Sequence, residues 1–479
     1  MNQIFNYKKW LIIPVIFFIP IFEFINSNII EKDIIMVKSF FFFIVIIFLF
    51  LFLLSFVFKF FFKKFDLFFS LLMIFIFYWL LFNHYLLNQL IIKFLEENSF
   101  TSELSLLIIF IVSYLVYKSI KNRNDKIIRF FLIFFIFLFF YNSLKLSNHL
   151  FHKETLINKE FKGIYYPDKL NKKKPNIYFF ILDAMQPLKN FENFYGIDLT
   201  NHIFEFEKDG FFYFHNTTNV YDNTTHSLST IFHLEKIFDD KGNLKKNIKN
   251  LYPTIIKDHK NSALLYNLEN LGYEFKWAGN FYAYCPKFNI RYCLNPTQNQ
   301  FIDYYLFINF LKQSPLVQIT IKLGVLVDFD FNKFLFFELN DGIGRLINYL
   351  NKNKNLSPTF YFIHHMSPHY PYVTNSNCSY KYSHGDDNLE GYKLAYLCNL
   401  KKIKLFINYI KKNDPNSFVV FQSDHNWKML AKNEKKNEIF SLVKLTDNCS
   451  FIDQINYNNL NILDLIFSCV SGSKKIVKK

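Results

Sequence analysis

Apolar residues are distributed in two different ways along this chain. Up to about residue 144 they form five long stretches, at about Trp10–Ile25, Phe40–Phe58, Leu67–Ile92, Leu104–Val116 and Ile127–Tyr141, separated by short charged segments. Most approach the ~20 residues needed to cross a hydrocarbon core, and the fourth is short. A signal peptide would account for the first stretch alone. Buried soluble helices would not be expected to recur so densely, so the pattern predicts five spanning helices over residues 1–146. Residues 147–174 are polar and lysine-rich and read as a juxtamembrane connector. From 175 to 472 the apolar runs shorten and alternate with helical patterns. Strands are expected within Pro175–Ala184 and at Phe211–His215, Tyr273–Ala278, Thr359–Ile363, Ser417–Gln422 and Ile439–Leu445. Helices are expected at Pro187–Phe206, Asn261–Leu271, Asn340–Asn351 and Glu390–Lys412. That alternation predicts an α/β domain, a mostly parallel sheet sandwiched by helices.

The loop charges orient the helical part. Lys8 and Lys9 precede the first stretch, Lys59, Lys63 and Lys64 follow the second, and Lys118, Lys121, Arg123, Lys126 and Arg129 separate the fourth from the fifth. The alternate loops mix Lys32, Lys38 and Lys93 with Glu31, Asp33, Glu96, Glu97 and Glu103. The positive-inside rule then puts the N-terminus in the cytoplasm, and five crossings put everything after about Leu144 outside. Composition agrees, with 51% hydrophobic residues and 65 phenylalanines among 479 residues.

The net charge of +16 raises the question of nucleic acid. The lysines are scattered among Asn and Ile, and arginine, on which base readout leans, is nearly absent. No nucleic-acid partner is expected, and the basic positions near the membrane suit anionic lipid head groups instead. All six cysteines lie in the C-terminal part. An oxidising compartment permits disulfides, and the sequence neighbours Cys285 and Cys293, Cys378 and Cys398, and Cys449 and Cys469 are the obvious pairs, with free thiols as the alternative. Phe301–Phe337 is strongly apolar for a soluble segment. Core packing is the expectation, and rest on the bilayer surface is the alternative.

Three of the strand-like runs end in the same chemistry. Ile177–Leu182 ends in Asp183, Thr359–Ile363 runs into His364 and His365 with His369 close behind, and Phe418–Gln422 is followed by Ser423-Asp424-His425. Ligands of open α/β sheets bind beyond the carboxyl ends of the strands. Carboxylates and imidazoles gathered there suit a divalent metal, although a single Asp-His pair could equally be a hydrogen-bonded cap. The loop Asn219–Ser229 adds hydroxyls. A threonine there becomes a nucleophile once a metal lowers its pKa, while the bland reading is helix capping.

Ile181-Leu182-Asp183-Ala184, Thr224-x-x-Ser227-Leu228, Ser367-Pro368-His369-x-Pro371-Tyr372 and Ser423-Asp424-His425 stand in the order seen in the alkaline phosphatase/sulfatase superfamily. The chain resembles its membrane-anchored branch of phosphoethanolamine transferases, lipoteichoic acid synthases and glucan phosphoglycerol transferases. The resemblance implies a five-helix transmembrane domain followed by an alkaline phosphatase-like domain, in a multi-pass protein of the bacterial plasma (inner) membrane with its catalytic part periplasmic. It implies Asp183, Thr224, Asp424 and His425 as ligands of a divalent metal, Zn or Mn, with Ca or Mg also compatible. Thr224 would be the nucleophile, His369 a catalytic and substrate-contacting histidine, and His364 a further substrate-binding one.

The implied function is metal-dependent transfer of a phospholipid-derived phospho-head-group to a glycan or lipid acceptor of the cell envelope. A hydrolase with water as acceptor (phosphodiesterase, phosphatase or sulfuric ester hydrolase) is the alternative, and a non-catalytic membrane protein ranks last because the Asp, Thr, Asp-His set is intact. Two departures matter. Asn426 stands where a glycine usually follows Asp-His, and the later histidine of some relatives has no clear counterpart, which weakens the case for a second metal. The Cys-x-Pro-x-Arg-type motif that yields formylglycine in true sulfatases is missing, and Cys285-Pro286 does not fit it.

The topology is open to direct measurement. Single cysteines in place of Lys63 and Lys121 are expected to be labelled only from the cytoplasmic side, and one in place of Lys153 only from outside. Labelling of positions 121 and 153 from one side would remove the five-crossing scheme.

Overall fold

The structure is a computed structural model. It describes residues 10, 12–32, 38–61, 67–82, 101–121, 125–151, 174–258, 261–280, 283, 293–294, 307, 310–323, 341–353, 357–381, 389–427, 437–446, 449 and 458–472. The chain divides into two compact units, Met1–Leu156 with Gln298–Phe329, and Ile157–Thr297 with Asp330–Lys479.

In the first unit each predicted apolar stretch is part of a helix. These are α1 (Ile12–Lys32), α2 (Lys38–Phe61), α3 (Leu67–Phe82), α4 (Thr101–Lys121) and α5 (Asp125–Phe151). Helix α1 packs on α3 and α5, α2 on α3, and α4 on α3 and α5. Ring contacts dominate the interior, with Phe17 stacked on Tyr78 and edge-on to Phe48 and Phe75. One polar contact ties α1 to α5: the Asn26 side-chain amide donates to the Asn142 carbonyl at 3.1 Å, and the Asn142 amide to Glu23 at 3.4 Å. Phe42, Phe60, Phe61, Phe130, Ile133 and Phe137 are exposed.

Among the described residues one helix, Phe42–Phe61, is long and apolar enough to cross a membrane; Ile12–Asn26, Ser70–Phe82 and Ile133–Ser147 are shorter apolar helical stretches. Five full spans are therefore more than the helices show individually. Glu23 and Asn26 interrupt the apolar run of α1, and α3 is described over 16 residues. The end of the third predicted stretch, at Ile92, lies outside the described residues.

The second unit is built on a six-stranded sheet. Its strands are β1 (Ile177–Leu182), β2 (Phe212–Tyr213), β3 (Glu274–Ala278), β4 (Thr359–His365), β5 (Phe418–Ser423) and β6 (Ser441–Lys444), in the order β2-β6-β5-β1-β4-β3. β5, β1, β4 and β3 run parallel, whereas β6 and β2 form an antiparallel edge. The sheet is thus mixed. β5 is followed at once in sequence by its neighbour β6, which suits antiparallel pairing, whereas parallel neighbours need a crossover. The long α12 (Leu389–Asn413) provides such a crossover between β4 and β5.

The strands are apolar throughout because both faces of the sheet are covered. Phe179 and Ile181 of β1 pack with Leu228, Phe232 and Ile466, while Tyr178, Phe180 and Leu182 pack with Tyr392, Tyr396 and Phe406. One face thus carries α8 (Thr224–His233), α9 (Ala263–Asn270) and α13 (Asn459–Ser471). The other carries α6 (Leu188–Tyr195), α7 (Thr200–Lys208), α11 (Gly342–Lys352) and α12. The single helix predicted over Pro187–Phe206 is two, α6 and α7, because Gly196 turns left-handed (φ 65°) and its N–H closes α6 on Glu192. Helix α13 has no counterpart among the expected elements.

The described part of Phe301–Phe337 packs as core, as expected, but outside the 175–472 domain in which the sequence places it. These residues belong to the first unit. Phe310 is fully buried there, stacked on Phe82 at 4.5 Å and edge-on to Phe24, and Phe307 stacks on Phe43 at 4.3 Å. Helix α10 (Pro315–Lys322) packs on α3 and α4. Tyr304, Tyr305, Phe334, Phe336 and Phe337 lie outside the described residues.

Two expected disulfides are present, Cys378–Cys398 and Cys449–Cys469. Cys293 is disulfide-bonded as well, and its expected partner Cys285 lies outside the described residues. Non-reducing peptide mapping is expected to recover Cys378 with Cys398 and Cys449 with Cys469, and loss of either bridge to cost about 2–5 kcal/mol of stability. Free thiols at these four positions in protein alkylated inside intact cells would contradict it.

Candidate metal centre and active site

The register of the sheet assembles the site. Leu182 is level with His365 on one side and Ser423 on the other. The next residues, Asp183 and Asp424, therefore emerge side by side from adjacent parallel strands. The backbone there is held tightly. Ala184 adopts a left-handed conformation (φ 58°), its N–H donates to Asp424 Oδ1 at 3.0 Å, and its carbonyl accepts from the Tyr392 hydroxyl at 2.9 Å. Such strain in a non-glycine residue persists only where the surroundings enforce it.

Both carboxylates are buried, and each divides its oxygens between two tasks. Asp424 Oδ1 accepts from the N–H groups of Ala184 and His425. Asp183 Oδ2 lies 3.1 Å from His364 Nε2. The other oxygens, Asp183 Oδ1 and Asp424 Oδ2, accept no hydrogen bond. Each is 3.5 Å from His425 Nε2. Asp183, His364 and Asp424 offer ligand atoms all within 4.8 Å of one another. Two bare carboxylate oxygens meeting one imidazole nitrogen in a buried site are what a divalent cation would satisfy, so the residues present fit a metal.

The histidines are fixed by their second nitrogens. His425 Nδ1 lies 2.9 Å from the Asn426 carbonyl and donates to it, which leaves the Nε2 lone pair for a metal. His364 has Nδ1 at 3.0 Å from the Tyr252 hydroxyl. The network is consistent if that hydroxyl donates to Nδ1 and Nε2–H donates to Asp183. His364 thus sits behind Asp183, buried and committed at both nitrogens. Burial alone would push the Asp183 carboxyl up. The nearby His369, the hydrogen bond and charge of His364, and the charge of His425 outweigh it and hold the group down to about 2.

Thr224 enters from the other side. Asn223 caps helix α8, its Oδ1 accepting from the His226 N–H at 2.9 Å, so Thr224 is the first helical residue. Asn219 donates to Ser227 Oγ at 2.6 Å, and Ser227 Oγ donates to the Tyr221 carbonyl at 2.9 Å, which locks the loop ahead of the helix. Thr224 Oγ1 then lies 3.3 Å from His425 Nε2. The two residues, with Ala184 and Asn223, border a pocket of about 180 Å³ whose other walls are His369, Tyr370, Tyr372 and Trp427. The Trp427 ring is stacked on Tyr392 at 3.9 Å and its N–H donates to Tyr372 at 2.9 Å. His369 is exposed at the pocket, its ring centre 6.4 Å from that of His425, with Nδ1 donating to the Tyr370 carbonyl.

All six residues singled out from the sequence thus converge. Asp183, Asp424, His425 and Thr224 form one cluster, His364 supports it from beneath, and His369 faces it across the pocket. Sequence reasoning missed Tyr252 and Tyr392, which hold His364 and the Ala184 turn from far away in the chain. It also passed over Trp427, although the residue sits only two positions beyond His425.

No protein-family model and no curated protein matches the chain. Solved structures do. Lipooligosaccharide phosphoethanolamine transferase A (EptA) from Neisseria meningitidis, an integral membrane protein, is 14% identical over 78% of this chain and 68% of its own, with a TM-score of 0.43. The C-terminal periplasmic domain of EcEptC from Escherichia coli is 13% identical over 66% and 92%, at 0.38. The phosphonate monoester hydrolase of Agrobacterium radiobacter is 11% identical over 64% and 79%, at 0.37. The likenesses are distant, and the chemistry is read from the residues.

Beside the cluster, His365 is fully buried with Nε2 3.0 Å from Asn399 Oδ1. Burial, reinforced by Lys402, pushes its pKa down to about 3 against the opposing pull of Asp341. Between about pH 6.5 and 3 the unfolded chain therefore binds one proton more than the folded one. Stability falls as pH drops through that window, by up to about 1.4 kcal/mol per pH unit, and His365 contributes nothing above it. Denaturant midpoints of metal-free protein are expected to fall less between pH 7 and pH 5 in His365→Gln than in the wild type. Identical profiles would refute this.

Proposed function

We propose that the chain is a membrane-bound transferase that moves a phospho-head-group from a phospholipid to a glycan or lipid acceptor through Thr224. The observation that carries the reading is the position of Thr224 Oγ1, 3.3 Å from the imidazole nitrogen that also meets the bare oxygens of Asp183 and Asp424. A hydroxyl held against that donor set, at the edge of a small pocket, supports a nucleophilic role toward phosphorus.

A divalent cation, Zn or Mn, held by Asp183, Thr224, Asp424 and His425 would supply the charge that lowers the hydroxyl pKa and offsets charge developing on the phosphoryl oxygens. Thr224 reacts as its alkoxide. Its oxygen forms the new bond to phosphorus, and the bond from phosphorus to the lipid glycerol oxygen breaks. His369 gives that oxygen its proton. In the second half the acceptor hydroxyl loses its proton to His369 and attacks phosphorus, and the Thr224 alkoxide is released. His364 and Tyr252 keep Asp183 turned toward the cluster. The aromatic wall of Tyr370, Tyr372 and Trp427 suits an amphiphilic substrate with a charged centre and apolar flanks. The exposure of His369 favours one second reading, in which water is the acceptor and the protein is a phosphodiesterase or phosphatase.

The membrane assignment belongs to the same proposal. Support comes from five helices, of which α1, α2, α4 and α5 expose phenylalanines, from one of the described helices being long and apolar enough to span, and from lysine-rich alternate loops. The protein then resides in a bacterial inner membrane with its sheet domain periplasmic.

Thr224→Ala is expected to fold, to hold metal more weakly through the three remaining ligands, and to lose transfer by at least about 10³-fold together with any adduct on the Thr224 peptide. Thr225→Ala is expected to be far milder. Asp424→Asn and His425→Ala are expected to lose metal and activity together, and Tyr252→Phe to weaken metal binding by up to about 10-fold through His364. Elemental analysis, peptide mass spectrometry and transfer from labelled phospholipid vesicles read these outcomes. Wild-type transfer by Thr224→Ala would end the covalent mechanism. Release of the group to water, with no acceptor modified, would replace transferase by hydrolase.

A further inference from the structure

The residues that join the segment Gln298–Phe329 to the helical unit share one end of the bundle. Phe307 stacks on Phe43 near the start of α2, and Phe310 is sandwiched between Phe82 at the end of α3 and Phe24 in the second half of α1. With the N-terminus inside, α1 and α3 run outward and α2 inward, so all three partners lie toward the extracytoplasmic end. The loop charges and the ring contacts are independent observations, and they select the same side. The segment also keeps apolar surface of its own: Leu316 and Leu323 are 45% and 70% exposed on and just after α10, while Lys312 is exposed before it. Exposed leucines flanked by lysine on a short helix at a membrane boundary suit the head-group region of a bilayer.

We propose that the described part of this segment, Phe307 and Phe310–Leu323, is a second membrane anchor of the sheet domain, docked into the bundle by Phe307 and Phe310 and resting on outer-leaflet phospholipid through Leu316 and Leu323. The inference rests on the membrane reading above. It makes the covalent link between the units threefold. The chain crosses between them after Leu156, again before Gln298 and again after Phe329. Cutting the connector then leaves the sheet domain held at the membrane by an element from within its own sequence.

The test uses the full chain in its membrane, with a specific protease site inserted between Lys172 and Lys173. Uncut protein must first withstand a high-salt wash and an alkaline wash; if it comes off, the membrane reading itself fails. After cutting, the C-terminal fragment of the otherwise wild-type protein is expected to stay with the membranes through the high-salt wash. In Phe307→Ser/Phe310→Ser it is expected to move to the supernatant with its metal content unchanged. Release of the wild-type fragment, or retention of both fragments alike, would overturn the anchor while leaving the membrane reading intact. A second measurement does not depend on the double variant folding. Phe82→Cys with Phe310→Cys, joined by a short thiol cross-linker, is expected to link the two fragments after cutting, and failure to link them would also overturn the proposal.

Discussion

Two buried carboxylates at the ends of neighbouring parallel strands are the constraint around which the sheet domain is organised. Asp183 and Asp424 are almost fully excluded from water, and each leaves one oxygen bare toward the other. Like charges placed so are costly unless positive charge and donors surround them. The surroundings answer that cost in detail. Two backbone N–H groups hold Asp424, His364 braced by Tyr252 holds Asp183, and His425 meets both free oxygens. The left-handed Ala184 and the Tyr392 strut exist to keep that arrangement level with the strand ends. Thr224 is the last piece of the cluster, delivered by a capped helix start rather than by a strand.

The parts visible in the sequence were those in which chemistry and local structure coincide. A short apolar run ending in a carboxylate or an imidazole is a local pattern, and β1, β4 and β5 carry it, β5 ending one residue and β4 two residues beyond the expected run. Thr224 was singled out by the family resemblance, through Thr224-x-x-Ser227-Leu228. What the sequence hid was tertiary. Tyr252 meets His364 across 112 positions and Tyr392 meets Ala184 across 208, and no periodicity marks such a tyrosine. The antiparallel edge was hidden for a related reason, since β2 is two residues long and gets its direction from β6.

The helical part shows the opposite balance. Its five helices are plain in the hydropathy, yet their lengths and the polar contact of Glu23, Asn26 and Asn142 make several of them poor spans taken singly. Phe301–Phe337 misled for a physical reason. Phenylalanine surface satisfies a sheet core and a helix bundle equally well, and only the partners, Phe24, Phe43 and Phe82, distinguish the two.

The strand order β2-β6-β5-β1-β4-β3 has a consequence for the growing chain. None of the first three strands to be synthesised pairs with another of the three. β1 waits for β4 and β5, β2 for β6, and β3 for β4. Among the described residues no sheet ladder joins two strands within Ile177–Pro358, and in that interval Phe307 and Phe310 emerge after the helices they pack on. A nascent domain with three unpaired strands is exposed to misassembly. A chain that parks its midpoint on a finished bundle before the fourth strand appears would close its sheet from a fixed point, so the order of synthesis itself becomes part of how this protein is built.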